Sequence, residues 1–266
     1  MLRTLEKAAA LINIGLKGSL AYKLDYLFSF GFRIVFALLM LFVWSAIYLS
    51  SHAGSIGGFS ISQMYAYYFL AGMMYLVITT EIDQQLQQDI RSGNVTIAFT
   101  RPINYAFQLL INSLSANLLY MLGAIPLLLI ATFLSPLSIT PVSLGFLALE
   151  IAVGYVIVNI MGFMIGSLAV YLTEVWGIMS VTWNLEFLLS GGVLPLTLFP
   201  PLAGKILLLL PFQMLLYTPV ATLLGVITNA EIVQELIIST IWAAVLFIIA
   251  AIMWYRIRRG LTAVGG

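Results

Sequence analysis

The densest polar chemistry of the chain lies in one segment, EIDQQLQQDIRSGNVTIAFTRP, residues 81–102. It carries three carboxylates (Glu81, Asp83 and Asp89), two arginines (Arg91 and Arg101) and four glutamines. A helix from about Glu81 to Ser92 places acids at its positive end and Arg91 at its negative end. Gly93 suits a left-handed stop. Ile82, Leu86 and Ile90 then form one narrow apolar ridge. Gln84, Gln85, Gln87, Gln88 and Asp89 cover the remainder. Such a surface offers recognition: a ridge with polar flanks fits a groove on a cytosolic partner. The plainer reading is a linker whose ridge rests on lipid headgroups, although a linker can be much shorter.

A second set of candidates lies inside apolar runs. Glu186 follows Glu174 by roughly 18 Å of helical rise, beyond the midplane of its run, where a carboxylate faces protein or a wet cavity. Thr182 and Asn184 precede it closely. They read either as lining of a substrate path between two copies of the chain or as structural hydrogen bonds, for instance from Glu186 to Asn159. Asn112, Ser113, Ser115 and Asn117 offer the same choice. Arg33, about one third of the way into the first run, is expected to snorkel toward the headgroups. Gly162 and Gly166 form a G-x-x-x-G that permits close helix packing within one subunit.

Several chemistries are excluded. The chain has no cysteine, hence no disulfide, thiol catalysis or iron–sulfur ligation. Its one histidine, His52, sits in a glycine-rich loop, whereas zinc takes three or four ligands; no metal site is expected. No G-x-x-x-x-G-K-[ST] is present to cradle nucleotide phosphates, and no H-E-x-x-H or G-x-S-x-G occurs. A net charge of +1 does not fit a nucleic-acid binder.

The elements that must position these residues are membrane helices. The chain is 62% hydrophobic and 8% charged, with a mean hydropathy of +1.09. Its apolar runs reach the ~20 residues that cross a bilayer as helix and do not alternate as a barrel's would. We read one all-α transmembrane domain over 1–266. An amphipathic, basic stretch over 1–23 is an interfacial helix. Six spans follow: about Tyr26 to Leu49, Ile61 to Thr80, Ile103 to Leu134 (kinked by Pro126), Val142 to Leu172, Val175 to Gly191–Gly192, and Leu236 to Tyr255. Five prolines break residues 193–224, which therefore read as re-entrant helices forming an outer cap. In this layout Arg3, Lys7, Lys17, Lys23, Arg91, Arg101, Arg256, Arg258 and Arg259 share one face, with Lys205 opposite. The positive-inside rule makes that face cytoplasmic, with both termini on it. A multi-pass plasma-membrane protein is expected.

Three stretches carry a family resemblance. SGNVTIAFTRPINY, preceded by DIR, resembles the cytoplasmic loop of permeases of the type 2 ABC exporters, in the branch with a D-I-R-S-G…L-x-R-P-x pattern. LAYKLDYLFSF resembles the start of that branch's first span. SGGVLPLTLFPPLAGKILLLLPF, residues 190–212, resembles its re-entrant region, except that Phe199-Pro200-Pro201 stands where a single proline is usual. The resemblance implies a permease subunit without catalytic residues or cofactor of its own. ATP and Mg would belong to a separate cytosolic ABC ATPase subunit, and a second permease copy, identical or homologous, would complete the assembly in membrane lipid. It assigns residues 81–102 as the coupling segment between spans two and three. Glu81, Asp83, Gln84, Gln85, Gln88, Asp89 and Arg91 would dock the ATPase. Asn112, Asn117, Thr182 and Glu186 remain the candidates for the substrate path. The aromatic- and methionine-rich interior points to hydrophobic or amphipathic cargo: a drug, or a lipid-like or lipid-linked molecule. The alternative is an ion- or proton-coupled secondary transporter or channel. It is weakened because such proteins usually place several ionisable groups in their spans, whereas Glu186 and Arg33 read as nearly the only ones here.

Overall fold

The computed structural model describes residues 23–95, 104–172 and 174–264. The expected interfacial helix, apart from Lys23, and the Arg101-Pro102 pair lie outside the described residues. Among those described the secondary structure is helical, with a single isolated bridge between Ile56 and Phe59.

Long helices form where the apolar runs are uninterrupted. They are α1 (Lys23–Ser51), α2 (Ile61–Ile78), α4 (Tyr105–Leu134), α5 (Pro141–Ser167) and α9 (Asn229–Val264). Shorter helices are α3 (Ile82–Arg91), α6 (Trp176–Leu189), α7 (Pro201–Leu208) and α8 (Tyr217–Leu224). Local chemistry sets the starts. Ser60 and Gln63 make a reciprocal capping box for α2, and Thr140 and Ser143 make one for α5, where Pro141 occupies the first turn.

α2 is the axis of the bundle. It is apolar all round, so it sits inside rather than against lipid. Its Met64, Tyr67, Leu70, Met74 and Leu76 are almost fully buried. It packs chiefly on α4 and α1, while α5 packs on α9. Lipid tails are as apolar as leucine, so polar partners add specificity to this packing. The Tyr67 hydroxyl donates to the Gly191 carbonyl at 2.8 Å, and Tyr68 donates to Val193 at 3.0 Å while accepting from Trp44 Nε1 at 2.7 Å. Each such bond in a membrane bundle contributes about 0.6 kcal/mol on average. Gly191 has φ of +92°, and a Cβ there would lie 2.8 Å from the Tyr67 hydroxyl, so only glycine serves at this junction.

Among the described residues four helices are long and apolar enough to cross a membrane, and α4 makes a fifth if its bent halves are one span. The expected fifth span differs from expectation. α6 has 14 residues, roughly 21 Å of rise, because the Glu174–Val175 cap and the Gly191–Gly192 turn close it at both ends. The kink in α4 also differs. The halves Tyr105–Leu118 and Tyr120–Leu134 meet at 44°, ahead of Pro126. Asn117 donates to the Thr79 carbonyl at 2.7 Å, which holds the first half against α2.

The proline-rich region forms α7, α8 and two 3₁₀ turns, Leu196–Leu198 and Pro211–Leu215. All eight residues of α8 are buried. Thr197 donates to the Gly57 carbonyl at 2.9 Å, and the Ser138 amide to Leu223 at 2.7 Å, so this region joins the α1–α2 and α4–α5 loops at one end of the bundle. At the other end Trp254 stacks on Tyr105 (6.0 Å between centroids) and meets Phe163 edge-on at 5.0 Å. That brings the end of α9 bearing Arg256 and Arg258 beside α3.

Candidate docking helix and inner cavity

α3 follows directly from its periodicity, but its apolar ridge is spent inside the chain. Ile82 and Leu86 are 2% and 0% exposed and cluster with Val95, Tyr105 and Leu109. The G-x-x-x-G of α5 explains the close fit. A Cβ on Gly166 would lie 2.7 Å from the Asp83 carbonyl oxygen and 2.9 Å from its Cα, and one on Gly162 would meet Thr80 and Ile82. The small residues therefore seat α3 itself, which extends the expected role in intrasubunit packing.

The seven expected docking residues divide accordingly. Glu81, Gln84, Gln88 and Arg91 are exposed, with Gln84, Gln88 and Arg91 on one stripe; Gln85 and Asp89 are half-buried. Asp83 corrects the expectation. It is 1% exposed and accepts from Trp183 Nε1 at 2.7 Å and from the Gln84 amide at 2.9 Å, so it faces α6 and not a partner. Asp89 accepts from the Tyr105 hydroxyl at 2.7 Å. Arg91 reaches Glu174 at 3.2 Å, and Gln87 donates to the same carboxylate at 3.4 Å. Glu174 also takes the Trp176 backbone amide at 3.1 Å, at the start of α6. That amide, aided by Arg91, holds the Glu174 carboxyl below its ordinary value. α3 is thus tied to α6 at two points, Asp83–Trp183 and Arg91–Glu174.

Behind α3 lies a cavity of about 210 Å³ bounded by α1, α2, α3, α4, α5 and α6. Among the described residues four charged groups line it: Arg33, Glu81, Asp83 and Glu186. Tyr75, Tyr120, Trp183 and Phe187 supply aromatic walls. Arg33 does not snorkel as expected. Its guanidinium carbon sits 3.5 Å from the Tyr75 ring centroid and 5.5 Å from that of Phe187, so the aromatic face of α2 turns it inward. Its Nε is buried without a hydrogen-bond partner.

Glu186 lies in this cavity within one chain, and among the described residues no side chain or backbone donor binds its carboxylate. Asn159, its expected partner, is otherwise engaged. The Asn159 Oδ1 accepts from Thr80 and Ser113, each at 3.0 Å, while Nδ2 donates to the Tyr155 carbonyl at 2.6 Å. The other path candidates lie elsewhere. Asn117 is 2% exposed and bonded to the end of α2, Thr182 donates to the Ile178 carbonyl at 2.9 Å, and half-buried Asn112 does not line the cavity.

Sequence reasoning missed two buried acids. Glu150 on α5 is 0% exposed and accepts from Thr222 at 2.7 Å; Glu235 on α9 is 8% exposed and accepts from Thr218 at 2.6 Å. Glu186 and Arg33 are therefore not nearly alone among apolar runs. The signal was available, since both acids interrupt hydrophobic stretches as Glu186 does.

A sequence model described as ABC-2 family transporter protein matches residues 34–265, most of the chain. No curated protein matches it.

Proposed function

The chain belongs to the ABC-2 transporter family, and from that premise we propose that it is the transmembrane subunit of an ATP-driven exporter. It is a multi-pass membrane protein and a transport component. In this reading a separate cytosolic ABC ATPase docks on α3, with Glu81, Gln84, Gln88 and Arg91 as the contact stripe and Gln85 and Asp89 at its edge. Two copies, or one copy and a homologous partner, enclose the path. Six spans, with both termini cytoplasmic, place α3 on the ATPase side. The cargo is hydrophobic or amphipathic and leaves outward.

The observation that carries this reading is the two-sidedness of α3. Its outer stripe is polar and exposed, while its back is seated on α5 and tied to α6. A partner that displaces α3 displaces both spans with it, because neither the Gly166 contact nor the buried Asp83 bond leaves slack. Gln84→Arg with Gln88→Arg changes the stripe and leaves the packed face alone. Co-expression with a cytosolic ABC ATPase is expected to yield a complex with the unmodified chain and none with the double variant, and efflux should fall with it. Attachment and efflux that both survive the change would sink the docking assignment.

Glu150 and Glu235 favour a second reading, an ion- or proton-coupled transporter or channel, because buried carboxylates in spans often serve ion pathways. Vesicles holding the chain alone, without ATP, distinguish the two. Cargo flux driven by a proton or sodium gradient supports the second reading, and flux only with ATPase and ATP supports the first.

A further inference from the structure

The inner cavity has a charge pattern that its own residues leave unresolved. Three carboxylates, Glu81, Asp83 and Glu186, face one guanidinium, that of Arg33. Asp83 is satisfied by Trp183 and the Gln84 amide, and Glu81 lies 3.4 Å from the Tyr120 hydroxyl. Arg33 is held by the aromatic faces of Tyr75 and Phe187, and the ion pair found among the described residues is Arg91–Glu174. Among the described residues half-buried Glu186 thus remains without a donor in a largely apolar bundle, where a lone carboxylate is costly.

We propose that this cavity binds the charged end of an organic cation, with Glu186 as its counter-ion. Aromatic side chains at the rim of a carboxylate are the usual means of holding an ammonium or another delocalised cation. The chain's own guanidinium already occupies one such wall, which shows that these rings accept positive charge at 3.5 Å. An anion would meet a single arginine outnumbered by acids. A hard metal ion would need six or more converging oxygens, whereas these carboxylates lie on two separate helices among rings. The volume of about 210 Å³ is below the roughly 300–1,000 Å³ of sites that enclose a drug-sized molecule. The site therefore takes a cationic headgroup, and the rest of the molecule lies outside it. That this ligand is the cargo, a cationic amphiphile, rests on the exporter reading; the binding does not.

Three probes of similar size decide the matter on the purified full chain in detergent: benzyltrimethylammonium, benzyl alcohol and benzoate. Benzyltrimethylammonium is expected to raise the melting temperature saturably, and the neutral and anionic probes are not. Glu186→Gln should weaken the cation by at least tenfold, about 1.4 kcal/mol, and Arg33→Gln should tighten it about threefold by removing the competing charge. Benzoate binding as well as the cation, or a cation affinity unchanged by Glu186→Gln, would overturn the proposal. Should a variant fail to fold, the comparison of the three probes on the unmodified chain still decides. No ATPase is present in this assay, so a negative result leaves the docking of α3 untouched, and a failure of docking leaves the cation site standing.

Discussion

Single polar groups in this protein act as ties between helices, and Glu174 shows the economy of the arrangement. One carboxylate caps α6 through the Trp176 amide and anchors the end of α3 through Arg91. Its folded-state ionisation lies below the ordinary carboxylate value, because both contacts favour the charged form. A depressed carboxylate contributes its stability above its unfolded value and loses it as pH falls through the folded one. The melting-temperature gap between the unmodified chain and Glu174→Gln is therefore expected near pH 7 and should close on acidification through the carboxylate range. A gap that persists at low pH would show that packing, rather than ionisation, holds the α3–α6 corner. Asn159 is the buried counterpart, serving Thr80 and Ser113 at once. Replacing it with alanine removes an acceptor that both share and leaves them to each other and to the Tyr155 hydroxyl; the loss should be about 0.5–1.5 kcal/mol per bond, read from the thermal midpoint.

At the level of elements, α3 is decided by what lies behind it. Its amphipathic pattern alone is equally good for a helix on a headgroup surface, a helix in a partner's groove, and a helix seated on its own bundle. Glycine selects the last. A methyl at Gly166 meets Asp83 backbone atoms within 3 Å, and those cannot rotate away. Gly166→Ala should therefore destabilise by about 1–3 kcal/mol, the usual cost of overpacking, and, on the proposal that α3 docks an ATPase, weaken that attachment by tilting α3. Gly145 lies on the same helix, α5, with open space around its Cβ position. Gly145→Ala should be neutral or stabilising by up to about 1 kcal/mol, the helix propensity gained. Equal effects from the two substitutions would remove the seat from the account. The same reasoning explains why α7 and α8 stay short. Pro201 and Pro219 sit in their first turns, Pro211 follows α7, and Gly225 at φ +64° closes α8; such broken backbone survives at depth only under cover of protein.

At the scale of the whole molecule, Arg91, Arg256 and Arg258, α3 and the cavity behind it lie toward one end of the bundle, with the loops joined through Gly57 and Ser138 at the other. The absence of cysteine makes orientation directly testable. In intact cells Ser55→Cys is expected to react with an impermeant thiol reagent, and Ser92→Cys only after the membrane is opened; the reverse pattern would invert the protein. Much of this was legible beforehand. Hydropathy marks which runs are apolar enough to enter a membrane, since transfer free energy is additive along a segment. Cation placement implies which loops share a side, and periodicity marks α3. What composition determined is thus one-dimensional: membrane class, element positions, the polarity of each loop. Tertiary structure alone decided the rest. Asp83 turned inward to Trp183, Arg33 to Tyr75, and Glu186 toward a cavity, while Asn159 was taken by Thr80 and Ser113. The physical reason is that a polar side chain in a bundle goes to whichever partner lies within hydrogen-bond reach. That reach of about 3 Å joins residues far apart in the chain, a proximity that no local pattern of residue types encodes.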